Sequence, residues 1–259
     1  MTDSIPEAAE QPVLAGYNIQ KTFHRNKDSV HALNGISFAL KEGESLGIVG
    51  ESGAGKSTLL NIMLGLETPD SGRICYRGTE LNPRSKELMK RFRSEVQIVF
   101  QDPKSSLDPR MNTEAIISEP LQALHIPGNH RERVRELLSA VGLPSDSMQK
   151  YPHEFSGGQR QRIAIARALA PRPKILIADE PVSALDVSVR QQIIELFKQL
   201  KQDMALSIVL VSHDLAIVAQ LCEQSIVLQH GRCVEANTTK NLFLAPAHTY
   251  TRQLLAAIP

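Results

Sequence analysis

Residues 50–58 read GESGAGKST, and this stretch decides the fold because it meets the phosphate-loop pattern G-x-x-x-x-G-K-[ST] at each fixed position. Residues 45–49 before it, SLGIV, form a short apolar run that predicts a buried strand. Residues 59–66 after it are mostly apolar over a helix-like length. Strand, glycine-rich turn and helix thus follow one another, which is the context that makes the motif specific.

The residue types in this stretch suit the binding of a polyphosphate. Glycines let the backbone curl so that successive N–H groups face one anion, and the following helix adds its positive N-terminal end. Lys56 places a cation on the outer phosphates, and Ser57 offers a hydroxyl to Mg²⁺. A plain glycine turn before a core helix is the alternative, but the flanking strand and helix favour nucleotide binding. The residues predicted to bind the nucleotide here are Gly50, Ser52, Gly53, Gly55, Lys56, Ser57 and Thr58.

Composition limits the classes of protein to consider. The chain has 259 residues, of which 42% are hydrophobic, enough for one α/β domain with a smaller satellite or for two compact domains. Its 29 basic and 28 acidic residues leave a net charge of +1, which argues against a nucleic-acid partner. Cys75, Cys222 and Cys233 are far apart in sequence, and they indicate neither a disulfide framework nor a metal cluster.

The order of predicted strands indicates an α/β fold. Residues 1–12 read as a loose leader, and the alternating runs that follow predict an antiparallel layer beside a parallel core. Phe23 lies between the first two of these predicted strands. The predicted strands span residues 13–19, 32–40, 45–49, 72–77, 95–100, 174–180, 207–211, 225–228 and 232–235.

Helical patterns fill residues 112–170, between two of the core strands, and they predict an inserted helical subdomain. Gly142 is placed to close one of these helices. Further helices are predicted over 189–200 and from Thr249 to the apolar Ile258. The apolar stripe of the helix before Gly142 consists of Val134, Leu137, Leu138 and Val141.

Polar residues end three of the predicted core strands. Asp179 and Glu180 are ambiguous alone, because acidic residues at strand ends are often solvated turn residues. Beside a phosphate loop, we expect Asp179 to orient Mg²⁺ through its water shell and Glu180 to take a proton from the attacking water. His213 alone reads as a structural or exposed histidine, but on a neighbouring strand it would reach the γ-phosphate. Gln101 would contact Mg²⁺ or the water. The predicted catalytic residues are Glu180, His213, Gln101 and Lys56, and the predicted metal contacts are Ser57, Gln101 and Asp179.

Residues 155–159, FSGGQ, have the same kinds of anion-binding features as the phosphate loop. A hydroxyl, two glycines and a helix N-terminus predict a second anion site. One ATP does not need two such cradles within one small chain. We therefore expect the second cradle to meet a nucleotide held by another subunit. The residues of this cradle are Ser156, Gly157, Gly158 and Gln159.

With these motifs in this order, the chain resembles the ATP-binding subunits of ABC transporters over roughly residues 13–259. The motifs that carry the resemblance are residues 50–58, Gln101, residues 156–159, Asp179-Glu180, residues 183–186 (SALD) and His213. The resemblance implies a P-loop NTPase core of the ABC ATPase type, with an antiparallel β subdomain and an inserted helical subdomain. It also implies a head-to-tail dimer that sandwiches two ATP molecules.

The resemblance gives two further residues a role. Phe23, which alone reads as a packed or loop aromatic, matches the position whose ring stacks on adenine, and Asp186 matches the loop that couples the two sites. It also implies one ABC ATPase domain over 13–259. Within it we expect a catalytic core at 13–103 and 171–235, a helical signature subdomain at 104–170 and a short C-terminal element at 236–259.

Residues 100–110, 179–188 and 245–255 are similar to the corresponding segments of importers for dipeptides, oligopeptides and nickel. That similarity implies a second ABC ATPase subunit, identical or different, two membrane permeases and an external solute-binding protein. No apolar run approaches the length of a bilayer crossing. The resemblance therefore implies a peripheral position on the cytoplasmic face of the cell membrane, held by the permease subunits. Peptides are favoured as solute because that subgroup is larger, and nickel or another metal chelate stays open.

Two other readings are less favoured. A non-transport ABC ATPase that acts on DNA or ribosomes typically carries long coiled-coil insertions or two fused cassettes, and this sequence shows neither. A catalytically dead regulatory cassette is disfavoured because each expected catalytic residue is present.

Overall fold

The computed structural model describes residues 11–25 and 28–256, which form two β-sheets with helices packed around them. Ile258 and all but the last two residues of the predicted leader lie outside the described residues. The strands are β1 (Leu14–Arg25), β2 (Asp28–Leu40), β3 (Ser45–Val49), β4 (Ser71–Tyr76), β5 (Thr79–Glu80), β6 (Val96–Val99), β7 (Ile175–Asp179), β8 (Ser207–Ser212), β9 (Gln224–Gln229) and β10 (Arg232–Thr238). The helices are α1 (Lys56–Met63), α2 (Lys86–Glu95), α3 (Pro103–Ser106), α4 (Thr113–Ala123), α5 (His130–Ala140), α6 (Gly157–Leu169), α7 (Val187–Met204), α8 (Leu215–Leu221), α9 (Thr239–Leu244) and α10 (Thr249–Ala256).

The larger sheet has six strands in the order β10-β9-β3-β8-β7-β6. All neighbouring pairs are parallel except the antiparallel pair of β10 and β9. Every residue of β3 and β8 is buried, as expected where both faces of a parallel sheet are covered. Val49 pairs with Ser212 and Asp179 with Val211, so the carboxyl ends of these strands lie level at one edge. That edge positions the site.

The smaller sheet is antiparallel, in the order β2-β1-β4-β5, which confirms the predicted antiparallel layer. β1 and β2 are longer than predicted, and Phe23 lies inside β1, opposite Val30 of β2. The prediction that Phe23 lies between the strands is wrong. Residues 20–31 are mostly polar, so cross-strand pairing rather than apolar alternation extends the hairpin there.

The segment before β6 forms a helix, α2, which is absent from the predicted elements. Met89 and Phe92 of α2 are buried, and Nε of Arg91 donates to the Glu95 carboxylate one turn later, at 2.9 Å. This helical contact holds Glu95 as the last residue of α2. The strand predicted over 95–100 is therefore shorter, and it begins one residue later.

The helices α3 to α6 lie between β6 and β7 in the chain. The stripe predicted for α5 is buried, and Gly142 follows the helix with a φ of +70°. The N–H of Leu143 returns to the carbonyl oxygen of Leu138 at 2.8 Å, which closes the helix end as expected. The division of the chain into a catalytic core, a helical subdomain and a C-terminal element stays a prediction.

The last described elements pack against the outer strands of the large sheet. The predicted start of the final helix at Thr249 is confirmed, whereas β10 continues three residues beyond the predicted 235. Tyr250 of α10 is buried in a small cluster with Val227 and Leu242. Within residues 11–25 and 28–256, no helix has the length and apolar character that a membrane crossing requires.

Candidate functional site

The phosphate loop lies between the end of β3 and the start of α1. Gly53 and Gly55 both adopt left-handed backbone conformations, with φ of +82° and +103°. A Cβ at Gly55 would lie 2.6 Å from the carbonyl oxygen of Ala32, so a side chain does not fit there. The N-cap residue of α1 is Gly55, and among the described residues no side chain hydrogen-bonds to cap this helix end. The amide groups of this helix end are therefore available to an anion.

Lys56 is the first residue of α1, and its side chain folds back over the loop. Its ammonium donates to the carbonyl oxygens of Gly50 at 2.5 Å and of Glu51 at 2.9 Å. Burial lowers the pKa of Lys56 below its ordinary value, while the carboxylates of Glu180 and Asp179 act in the opposite direction. The ammonium is thus held by neutral carbonyl groups, and an anionic phosphate is a stronger partner for it.

Three parallel strands bring polar side chains to one carboxylate, that of Glu180. Glu180 follows β7, the strand that lies between β8 and β6. Nε2 of Gln101, beyond β6, donates to Oε2 of Glu180 at 3.2 Å. Nδ1 of His213, beyond β8, lies 3.1 Å from Oε1 of Glu180. The structure therefore brings these three predicted site residues together, and their chemical roles stay predictions.

The two adjacent carboxylates have different surroundings. Glu180 has a φ of +42°, and its backbone N–H donates to the carbonyl oxygen of Val211 at 2.8 Å. A glutamate in this left-handed region is strained, and such strain is common at functional sites. Burial, followed by the charge of Glu180, raises the pKa of Asp179, while Lys56 acts to lower it. A cation beside Asp179 would relieve the cost of burying its charge.

A cleft of about 820 Å³ joins the phosphate loop to these strand ends. Its volume lies in the range typical of small-molecule sites. The predicted residues that line it are Ser52, Gly53, Gly55, Lys56, Ser57, Thr58, Gln101, Asp179, Glu180 and His213. The lining residues that are not among the predicted site residues are Val30, His31, Ala32, Glu51 and His230. Apart from the loop residue Glu51, they come from β2 and the turn after β9, where no local motif marks them.

Gly50 and Phe23 lie outside the lining of this cleft. A Cβ at Gly50 would meet the carbonyl oxygen of Leu228 at 2.4 Å, so this glycine allows β9 to approach the base of the loop. Phe23 is 41% exposed on β1, and its cross-strand partner Val30 does line the cleft. The aromatic ring is therefore available near the rim, and its contact with adenine stays a prediction.

The predicted second cradle lies at the start of α6. Oγ of Ser156 accepts from the N–H of Gln159 at 3.3 Å, and Oε1 of Gln159 accepts from the N–H of Ser156 at 3.0 Å. These two reciprocal hydrogen bonds form a capping box at the start of α6, and Ser156 is exposed there. Neither these two residues nor Gly157 and Gly158 line the cleft of their own chain. Asp186, exposed at the start of α7, also lies outside it.

Gly158 is the buried residue of this cradle, and its substitution gives a test of the packing beneath it. A Cβ at Gly158 would lie 2.4 Å from Cγ1 of Val189, whereas a Cβ at Gly157 would lie 3.6 Å from the nearest Leu185 carbon. We expect Gly158→Ala to be about 1–3 kcal/mol less stable than Gly157→Ala in urea unfolding, because β-branched Val189 cannot swing away. Val189→Ala should remove most of that difference, and equal stability of the two glycine variants would contradict the close contact.

The sequence around this site matches a known protein family. A family model described as ABC transporter matches residues 33–183, a segment that contains the phosphate loop, Gln101, the second cradle and both carboxylates. The chain belongs to the ABC transporter family. As a member of this family it is an ATPase, and the predicted fold class is confirmed.

Relatives of this ABC ATPase include transport proteins and solved cassettes. The oligopeptide transport ATP-binding protein OppF of Lactococcus lactis subsp. lactis (strain IL1403) is 42% identical over 250 residues, which cover 96% of this chain and 77% of that protein. The ATP-binding cassette MJ0796, solved as a dimer in a post-hydrolysis state with ADP and Pi, is 32% identical with a TM-score of 0.78, over 87% of this chain and 98% of that one. The structure of cbiO1 from Clostridium perfringens, part of the ABC transporter complex cbiONQ, is 30% identical with a TM-score of 0.80, over 96% of this chain and 97% of that one.

Proposed function

We propose that this ABC ATPase hydrolyses ATP to energise a membrane importer of peptides. The observation that carries the proposal is the meeting of Gln101 and His213 at Glu180, on the edge of the phosphate-loop cleft. This arrangement sets a candidate base beside a site for a triphosphate. The class of solute is taken from the similarity to the Lactococcus lactis protein, which is named for oligopeptide transport.

In the proposed reaction, Glu180 takes a proton from the water that attacks the γ-phosphorus. Its carboxylate is held between the Gln101 amide and the His213 imidazole, so its orientation is set before ATP arrives. His213 is well exposed to the cleft, and it would hydrogen-bond a γ-phosphate oxygen. Lys56 would leave its carbonyl partners to contact the outer phosphates.

The polar residues around the cleft also suit Mg²⁺, which takes oxygen ligands. The Ser57 hydroxyl, the Gln101 amide oxygen and the Asp179 carboxylate all belong to residues that line the cleft. The amide nitrogen of Gln101 is engaged with Glu180, which leaves its oxygen for a cation. When bound with ATP, the ion would supply charge neutralisation for the phosphate oxygens. The ion would also offset the cost of burying the charge of Asp179, whose pKa is raised by burial.

We further propose that two such chains, or this chain and a related subunit, pair head to tail. Ser156, Gly157 and Gln159 at the start of α6 are exposed, as the contact with a nucleotide on a second subunit would require. Asp186 would couple the two sites from the loop before α7. The MJ0796 cassette is described as dimeric, and its similarity to this chain supports the pairing. Phe23 would stack on adenine at the rim of the cleft.

The permeases would dock at a groove of about 620 Å³ between the segment after β6 and helices α4 and α6. Phe100 lines this groove, is 41% exposed and directly precedes Gln101. Nη1 of Arg167 holds the neighbouring loop by donating to the carbonyl oxygen of Ser106 at 2.5 Å. A partner that moves Phe100 would therefore also move Gln101, and it would act on Glu180 through the hydrogen bond between those two side chains. Two permease subunits, served by an external solute-binding protein, would hold the chain at the cytoplasmic face of the membrane.

Uptake by cells tests the transported class. In cells whose own copy of this chain carries Glu180→Gln, we expect ATP-dependent uptake of a labelled tripeptide to be lost and nickel uptake to be unchanged. Cells that carry Glu195→Gln, a matched change on the exposed face of α7, should take up both at the normal rate. Loss of nickel uptake alone would favour the metal-chelate alternative. Normal uptake of both solutes would favour a non-transport ATPase.

A further inference from the structure

Tyr250 connects the C-terminal helix to the phosphate loop. It lies in α10, is 5% exposed and packs with Val227 of β9 and Leu242 of α9. Its hydroxyl oxygen accepts a hydrogen bond from the backbone N–H of Glu51 at 3.1 Å. Glu51 is the second residue of the phosphate loop. A residue almost 200 positions away in the sequence thus bonds directly to the loop.

Hydrogen bonds at the start of α10 hold the phenol in place. The Glu235 carboxylate, on β10, accepts from the N–H of Ala247 at 2.8 Å and from the N–H of His248 at 2.9 Å. Nδ1 of His248 in turn accepts from the N–H of Tyr250 at 3.2 Å. A carboxylate near the N-terminus of a helix also interacts favourably with the helix dipole. The start of α10 is therefore tied to the large sheet, and the tyrosine cannot drift from the loop without breaking these bonds.

The same peptide group that meets Tyr250 also meets Lys56. The carbonyl oxygen of Gly50 and the N–H of Glu51 belong to one planar peptide, in which they point in opposite directions. Lys56 donates to that carbonyl oxygen at 2.5 Å, and Tyr250 accepts from that N–H. Because the peptide is rigid, a bond at one end fixes the direction of the other. The tyrosine thereby sets where the loop holds the lysine ammonium.

We propose that Tyr250 is a positioning residue of the nucleotide site, which acts on ATP affinity through the Gly50 carbonyl and the Lys56 ammonium. The inference rests on the proposed function of this site. Burial raises the pKa of Tyr250 above its ordinary value, and the oxygen of the neutral phenol can accept the hydrogen bond from Glu51. The alternative is that the ring only fills space against Val227 and Leu242.

Tyr250→Phe separates these readings, because it keeps the ring and its packing and removes only the hydroxyl. It leaves the N–H of Glu51 without this acceptor, and a loss of this kind corresponds to a change of about five- to tenfold in affinity where ATP binding depends on the conformation of the loop. We expect the Kd for ATP, titrated on the full chain, to rise by that factor, and KM to change more than kcat. The matched control is Tyr17→Phe, at an exposed tyrosine of β1, which should bind ATP like the wild type.

Two further measurements distinguish positioning of the loop from a purely structural role of the tyrosine ring. The backbone amide of Glu51 should exchange with solvent faster in Tyr250→Phe than in Tyr17→Phe, by a larger factor than the change in the midpoint of urea unfolding accounts for. Glu235→Ala should weaken ATP binding in the wild type and add little in the Tyr250→Phe background, because both changes act through one contact. Wild-type ATP affinity of Tyr250→Phe, or full additivity in the double variant, would overturn the inference. Hydrolysis by the wild type, measured alongside, would still support the proposed function.

Discussion

The Glu180→Gln variant is expected to bind ATP at least as tightly as the wild-type chain while its rate of hydrolysis falls by about a thousandfold. The amide has the size and shape of the carboxylate, so the positions of Gln101 and His213 change little. It has no basic oxygen, so the attacking water loses its proton acceptor. The measurement is steady-state phosphate release together with an ATP titration.

The same variant should also accumulate as a closed dimer. Removing one negative charge beside the polyphosphate reduces repulsion, and without hydrolysis the nucleotide that joins the two subunits persists. Size-exclusion chromatography with and without ATP would detect this pairing. Glu195→Gln removes an exposed glutamate charge from α7, where the side chain is 3.5 Å from Lys198, and should leave rate and elution unchanged. Near-wild-type hydrolysis by Glu180→Gln would remove Glu180 from the role of base.

Lys56→Ala should raise the Kd for ATP by about a hundredfold, because it removes a cation whose charge-assisted hydrogen bonds to phosphate have no replacement in the loop. Burial already lowers the pKa of this ammonium, so the folded protein gains little from holding the charge in the absence of a ligand. The free energy of unfolding should therefore change much less than the affinity. The measurement pairs an ATP titration with urea unfolding.

The control for this substitution is Lys41→Ala, at an exposed lysine in the turn before β3. It removes the same side chain and the same charge from the surface, so both the affinity and the stability should match those of the wild type. An unchanged Kd in Lys56→Ala would contradict the assignment of residues 50–58 as the phosphate loop. A large loss of stability with unchanged affinity would instead make the lysine a structural residue.

The features that could be predicted from the sequence are those that depend on short stretches of neighbouring residues. The phosphate loop lies where its motif predicted it, and the buried stripe of α5 and the apolar core strands lie close to where their periodicity predicted them. The errors arose where packing overrides local pattern. The polar hairpin of β1 and β2 extends past its apolar residues, which puts Phe23 inside a strand, and a helix ends at Glu95 where a strand was expected.

The sequence alone determined which residues can bind phosphate, hold a cation or accept a proton. It also determined which strand ends carry them, since glycine geometry and apolar periodicity are local properties. Only the tertiary structure decided that β8, β7 and β6 are neighbours, so that Gln101 and His213 meet at Glu180. It alone also brought His31, His230 and Tyr250 to the phosphate loop. Strand order and helix docking depend on burial between segments far apart in the chain, and no short window of sequence records that.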